Sequence, residues 1–307
     1  MFHAHGKLLL TAEYFVLDGA TALALPTRFG QELTVKTTFE DNFLRWKSFD
    51  EEQESWFEAT LEGGTLRPIE FSDIDTAQRL EQLLQRARHY RFDFLGDTEV
   101  GHRVETRLDF PRNWGLGTSS TLVHLVSQWA KVDPFRLQFD VFGGSGYDIA
   151  CAGSGSPLLY RLHDERQPNY VPLAWEPEFS PQIYFVYLGK KQNSRDGIAR
   201  YRERGVPSAR DVAEINELTT WFLRARTLGE FQEAMYEHEK LVGKAIDLDP
   251  VQWERFSDFP GQLKSLGAWG GDFIMVADER PTERVRKYFA ERGLSVFLRW
   301  RELFAQF

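Results

Sequence analysis

Pro111-Arg112-Asn113-Trp114-Gly115-Leu116-Gly117-Thr118-Ser119-Ser120-Thr121 is the segment whose residue types most plainly suit chemistry. Glycines let a backbone fold closely around an anion, and the free N–H groups of a following helix's first turn point at it. The hydroxyls of Thr118, Ser119 and Ser120 can add hydrogen bonds or a magnesium ligand, so the chemistry would be that of a polyphosphate. The plainer alternative is a tight turn followed by a Ser/Thr helix cap. The run is neither a Gly-Lys-Ser/Thr phosphate loop nor a Gly-x-Gly-x-x-Gly dinucleotide fingerprint. Metal hydrolysis finds no support, since the seven histidines form no His-Glu-x-x-His and a single cysteine excludes cysteine-rich zinc or iron–sulfur sites. Gly153-Ser154-Gly155 lacks a nucleophile-elbow pattern.

The elements that must position these residues follow from periodicity. Residues Lys7 to Val16, running toward Asp18-Gly19, read as a strand pair around a turn, and Gln31 to Thr38 alternate as a strand. Short strands continue from Phe43 to Leu61, where Gly63-Gly64 ends the meander. Ile74, Ala77, Leu80, Leu83, Leu84 and Ala87 recur at helical spacing after Ser72 and Asp73, predicting an amphipathic helix near 73–90. Val100 to Leu108 alternate as a strand, after which the Pro111–Ser120 loop leads into a helix that buries Leu122, Val123, Leu125, Val126 and Trp129. Beyond a glycine-rich stretch, Gly143 to Gly155, come a strand at Ile183–Leu188 and helices near 194–204, 209–226 and 230–245. A strand, helix, strand series closes the chain at Phe273–Val276, Thr282–Arg292 and Leu294–Trp300. A boundary is expected in the proline-containing stretch Pro172 to Pro181.

At 307 residues the chain can bury two cores without staples. A formal charge of −9 argues against general nucleic-acid affinity, so any phosphate site must be local. Cys151 cannot form an intramolecular disulfide and sits in an apolar run, where an inert buried thiol is expected. Without a signal-peptide pattern at Met1–Lys7 or an apolar run of membrane-spanning length, the chain reads as cytoplasmic, with no membrane partner.

The Pro111–Thr121 run resembles the second motif of the GHMP kinases (galactokinase, homoserine, mevalonate and phosphomevalonate kinases), Pro-x-x-x-Gly-Leu-Gly-Ser-Ser, almost position by position. Gly6-Lys7-Leu8-Leu9-Leu10-Thr11-Ala12-Glu13-Tyr14-Phe15-Val16-Leu17-Asp18-Gly19 is similar to the first motif, closest to phosphomevalonate kinases. Gly143-Gly144-Ser145-Gly146-Tyr147-Asp148-Ile149-Ala150 resembles the segment that supplies the family's catalytic aspartate, and Leu266-Gly267-Ala268-Trp269-Gly270-Gly271-Asp272 the third motif, with Trp269 unusually bulky there. The resemblance spans residues 6 to 272 in family order.

It implies an α+β, two-domain fold: an amino-terminal mixed-sheet domain with a left-handed βαβ unit over 1–178 and a ferredoxin-like domain over 179–307, with the active site in the cleft between them. It also implies ATP and Mg²⁺ as cofactors. Lys7 would stabilise charge at the transferred phosphate, and Asp148 would take a hydroxyl proton or, for a phosphate acceptor, position it. Trp114, Gly115, Leu116, Gly117, Thr118, Ser119 and Ser120 would hold the nucleotide, Ser119 also the metal. The acceptor side would draw on Glu13, Tyr14, Ser145, Gly146, Tyr147, Ala268, Trp269 and Gly270, with Ser194 from Gly189-Lys190-Lys191-Gln192-Asn193-Ser194-Arg195. Each has a plainer reading: Lys7 a surface lysine, Glu13 a backbone cap, Asp148 a helix cap, the 266–272 loop a helix-to-strand connection, and the 189–195 stretch a solvated loop. One departure is the lack of a magnesium-binding glutamate, for Phe135-Arg136-Leu137-Gln138-Phe139-Asp140 offers only Asp140. Ala12 and Tyr14, standing where mevalonate kinases prefer Gly and His, tilt the comparison toward phosphomevalonate kinases. The expected activity is ATP-dependent phosphorylation of a small anionic metabolite, mevalonate or phosphomevalonate. Sugar or homoserine kinases, or a catalytically silent metabolite-binding regulator, are the alternatives, and a homodimer is permitted.

Overall fold

The computed structural model describes residues 1–97, 99–163, 167–190, 194–267, 269 and 272–304. The chain forms two compact units that do not follow a single cut. Met1–Gly6, Phe29–Arg112 and Gly117–Gly153 make the first; Lys7–Arg28, Asn113–Leu116 and Ser154–Phe307 make the second.

The first unit contains most of the large mixed sheet. Its strands are the start of β1 (Phe2–Leu9), the second half of β2 (Ala22–Thr38), β3 (Leu44–Phe49), β4 (Ser55–Leu61), β5 (Pro68–Phe71) and β6 (Gly101–Leu108). Their order is β5-β4-β3-β6-β2; β3 and β6 run parallel, the other pairs antiparallel. Helices α1 (Ile74–Tyr90), α2 (Thr118–Ala130), α3 (Pro134–Val141) and α4 (Tyr147–Ala152) bury one apolar cluster with the strands, in which Leu80, Leu84, Val123 and Leu125 meet Leu33, Trp46 and Phe57. The α1 stripe is as expected except for Ile74, which sits in the first turn and is exposed. Asp73 caps that helix by accepting from the Thr76 N–H at 2.8 Å. Along α2, Val123, Leu125 and Val126 are fully buried, whereas Leu122 and Trp129 are only half-buried. Cys151 lies in α4 with no exposed surface.

In the second unit the first residues of β2 pair with β7 (Leu158–His163), and β7 pairs with β8 (Gln167–Pro172), all antiparallel. A separate antiparallel sheet has the order β10-β11-β9-β12, from β10 (Gln262–Ser265), β11 (Phe273–Ala277), β9 (Ile183–Tyr187) and β12 (Phe297–Arg299). Its helices are α5 (Ser194–Glu203), α6 (Ala209–Arg224), α7 (Leu228–Ile246), α8 (Val251–Arg255), α9 (Thr282–Ala290) and α10 (Trp300–Leu303). Val186, Leu263, Ile274, Val285 and Phe289 form part of its core. The expected strand pair around Asp18-Gly19 takes a different form: β1 starts earlier and ends at Leu9, and Phe15–Asp18 form a 3₁₀ turn. The apolar residues there are buried by tertiary packing, which periodicity along the chain does not reveal. Mixed α and β elements, with a large mixed sheet and a second, small antiparallel one, agree with the expected fold class.

Candidate functional site

Lys7, at the start of the second unit, is bound to the glycine bend at two points. Its N–H donates to the Leu116 carbonyl at 2.9 Å, and its Nζ donates to the Gly115 carbonyl at 2.8 Å. One residue of the first motif thus fixes the bend that enters the second. Trp114 packs edge-on against Phe273, with ring centroids 5.6 Å apart, and the Tyr187 hydroxyl donates to the Asn113 carbonyl at 2.8 Å.

Asp272 lies against the same bend. It is buried, and its carboxylate lies so close to Gly115 that a Cβ there would stand 2.6 Å from Oδ2; a Cβ on Gly267 would stand 3.1 Å from the same oxygen. Both glycines have positive φ, 70° and 67°, so only glycine satisfies the backbone and the space together. The expectation of glycine-dependent loops is explained here by a particular neighbour.

Glu13 and Tyr14 occupy a turn in which Ala12 and Tyr14 carry positive φ, 61° and 65°. Glu13 is 2% exposed, and its carboxylate is engaged by Lys264 Nζ and lies 3.4 Å from His238 Nε2. Burial pushes the Glu13 carboxyl up, and the Lys264 ammonium partly offsets that. His238 Nε2 accepts the Ala12 N–H at 2.9 Å, and burial holds the imidazole well below its ordinary pKa, hence neutral. Glu239, beside it on α7, is buried and pushed up to about 8, chiefly by desolvation. Tyr14 is buried, stacks on Tyr201 with centroids 5.7 Å apart and accepts the Trp269 N–H at 3.4 Å; burial raises its phenol to about 12. Trp269 is also buried, and its ring lies over Gly243 of α7. Ala268 and Gly270 lie outside the described residues, as do Lys191 to Asn193, and Ser194 opens α5.

In the first unit, Gly117 caps α2 with φ 97°, and the first intrahelical bond runs from the Thr121 N–H to the Gly117 carbonyl at 3.0 Å. The amides of Thr118, Ser119 and Ser120 therefore precede the helical ladder, where the helix dipole favours an anion. Ser120 Oγ donates back to Gly117 at 2.8 Å, Thr121 Oγ1 donates to Gln31 Oε1 at 2.7 Å, and Ser119 is exposed. Ser145 and Gly146 are buried and Tyr147 half-buried; Gly143, Gly144 and Gly146 all have positive φ, which turns the chain into α4. Asp148 is half-buried on its first turn, and its Oδ1 accepts the Ile149 N–H at 3.0 Å. Asp140 is engaged by α1, accepting from the Tyr90 hydroxyl and lying 3.7 Å from Arg86. Among the described residues no group of three or more His, Cys, Asp or Glu could hold a metal ion. The donors at the α2 terminus suit magnesium only as one hydroxyl alongside nucleotide phosphates, a set Mg²⁺ tolerates because it keeps several waters.

No family model matches the chain, and no curated protein matches it in sequence. Solved structures do. The Lin0012 protein from Listeria innocua superposes with a TM-score of 0.72 at 15% identity, over 96% of this chain and 95% of that one. Streptococcus pneumoniae phosphomevalonate kinase, in complex with phosphomevalonate and AMPPNP, gives 0.70 at 15% identity over 97% and 99%. Methanococcus jannaschii mevalonate kinase gives 0.66 at 15% identity over 94% of each. The fold is that of the GHMP kinases. Within this GHMP kinase fold, sequence reasoning overlooked Lys264, His238 and Glu239 and quoted Asp272 without a role. A lysine inside the strand-like Gln262–Ser265 was the one available signal, because a buried charge needs a buried partner.

Proposed function

We propose that the chain is an ATP-dependent kinase that transfers the γ-phosphate to a small anionic metabolite, mevalonate or phosphomevalonate. The observation that carries this reading is the double attachment of Lys7 to the Gly115–Leu116 bend, which seats a cation on the loop that feeds the α2 amino terminus. In this reading the amides and hydroxyls of Thr118 to Ser120 bind the polyphosphate, and Lys7 stabilises the charge that develops on the moving phosphoryl group. Asp148 accepts the acceptor's proton or, for a phosphate acceptor, orients it. Ser119 would hold magnesium, which supplies charge neutralisation at the phosphates when bound. Glu13 acts through Lys264, on which its carboxylate is already engaged, while Tyr14 and Trp269 form part of the acceptor side.

Incubating the purified protein with MgATP and a panel of mevalonate, phosphomevalonate, homoserine and sugars, while following ADP release, tests this. Turnover with mevalonate or phosphomevalonate is expected; turnover with a sugar or homoserine alone would move the acceptor to another branch of the fold. A silent nucleotide-binding regulator is favoured by a single observation, the engagement of Asp140 by Tyr90 and Arg86, which removes the carboxylate nearest in sequence to a magnesium ligand. ATP binding with no turnover on any acceptor would decide for it.

A further inference from the structure

We propose that Lys264, through its buried pair with Glu13, is a positioning residue that sets Trp269 against Tyr14 of the Ala12–Tyr14 turn. Its consequence for catalysis rests on the phosphotransfer reading; its structural consequence does not.

Lys264 has no exposed surface, and its Nζ donates to Glu13 and, at 2.9 Å, to the Ser265 carbonyl. The partners lie 251 positions apart, yet Glu13 belongs to the Gly6–Gly19 motif and Lys264 stands two residues before the Leu266–Asp272 motif. The turn around Glu13 is strained, because two residues with side chains, Ala12 and Tyr14, carry positive φ, Tyr14 with a ψ of −47°. Such conformations persist where the surroundings over-determine them. Here the Ala12 N–H is fixed by His238, the Glu13 carboxylate by Lys264, and the Tyr14 ring by Tyr201. Downstream of Lys264, the Ser265 hydroxyl donates to Glu239 Oε2 at 3.2 Å and the Leu266 N–H to the Phe273 carbonyl at 3.0 Å. The Trp269 N–H then returns to the Tyr14 hydroxyl. Lys264 and the Trp269 N–H therefore hold two consecutive residues of the turn, Glu13 and Tyr14.

Stability alone does not account for the pair. Removing an ammonium and a carboxylate from water costs about as much as their attraction returns, and a well-packed apolar pair is commonly neutral or better for folding. What an apolar pair cannot supply is a directional bond that fixes the angle of the turn.

The test compares wild type with the double variant Glu13→Leu/Lys264→Met in three measurements: melting temperature, steady-state kinetics with MgATP, and amide hydrogen exchange. The expected result is a melting temperature at or above that of wild type, a kcat at least tenfold lower with a smaller change in KM for ATP, and exchange at the Trp269 amide at least tenfold faster. Wild-type kcat together with wild-type exchange would overturn the proposal. Should the double variant not fold, Lys264→Met alone, which lets the buried Glu13 carboxyl take up a proton, is read by kcat and Trp269 exchange against the same two thresholds, its melting temperature being expected below wild type. If wild type itself turns over no acceptor, the phosphotransfer reading fails, and the exchange measurement alone decides whether Lys264 positions the loop.

Discussion

Gly115 and Asp272 restrict each other, so a single methyl group probes the bend. Gly115→Ala places a Cβ 2.6 Å from the Asp272 carboxylate at a φ of 70°. The left-handed conformation alone costs about 1–2 kcal/mol, and the clash adds to it. Urea unfolding should show at least that loss, and nucleotide titration a weakened affinity. On the proposed reading, in which each carries charge beside the moving phosphoryl group, Lys7→Ala and Asp148→Asn should lower turnover by about 100-fold or more. Asp148→Asn should leave the unfolding midpoint near wild type, and Lys7→Ala should cost about 1 kcal/mol for the lost bond to the Gly115 carbonyl. Wild-type rates in either variant would remove its assigned role. Glu239 offers a pH test. Its carboxyl, raised from 4.5 to about 8 in the fold, binds its proton more tightly folded than unfolded. The contribution of this group to stability is therefore fully present below about 4.5, is lost as pH rises toward about 8, and is flat beyond. Thermal melts from pH 5 to 9 should show that decline in wild type and a flatter profile in Glu239→Gln.

Among the elements, those with a clean period were legible and those whose pattern is set by distant neighbours were not. Helix α1 was readable because its apolar residues repeat on one face and Asp73 announces its start. That cap has a measurable weight: Asp73→Ala should cost about 1 kcal/mol in chemical denaturation, since the Thr76 N–H loses its acceptor. Helices α3 and α4 were not read, because one has only eight residues and the other six, and glycines with positive φ run between them. Strand β8 escaped because Pro168 and Pro172 sit within a largely exposed edge. Of the candidate site, the glycine loops and Lys7 were visible as motifs. The neighbours that fix them, Asp272 at Gly115 and Lys264 at Glu13, lie more than a hundred residues away in the chain, and no local spacing reports such pairs.

For the molecule as a whole, the fold match spans nearly the full chain at an identity of only 15%, so architecture is retained where most side chains differ. A net charge of −9 confines any phosphate recognition to local donors. Nucleotide binding should therefore raise the melting temperature through mass action, by about 2.7 kcal/mol of added stability at a free concentration 100 times Kd, whereas duplex DNA should leave it unchanged. Differential scanning fluorimetry with MgATP, ATP without metal and DNA separates these outcomes, and a rise with DNA would contradict the charge argument. No helix among the described residues is long and apolar enough to cross a membrane. The solitary thiol of Cys151, sealed inside α4, has a practical consequence. Maleimide dyes should pass over the native chain, so one cysteine engineered at an exposed position gives a singly labelled molecule without prior removal of the natural one. Two such positions would allow fluorescence energy transfer to follow conformational change during turnover.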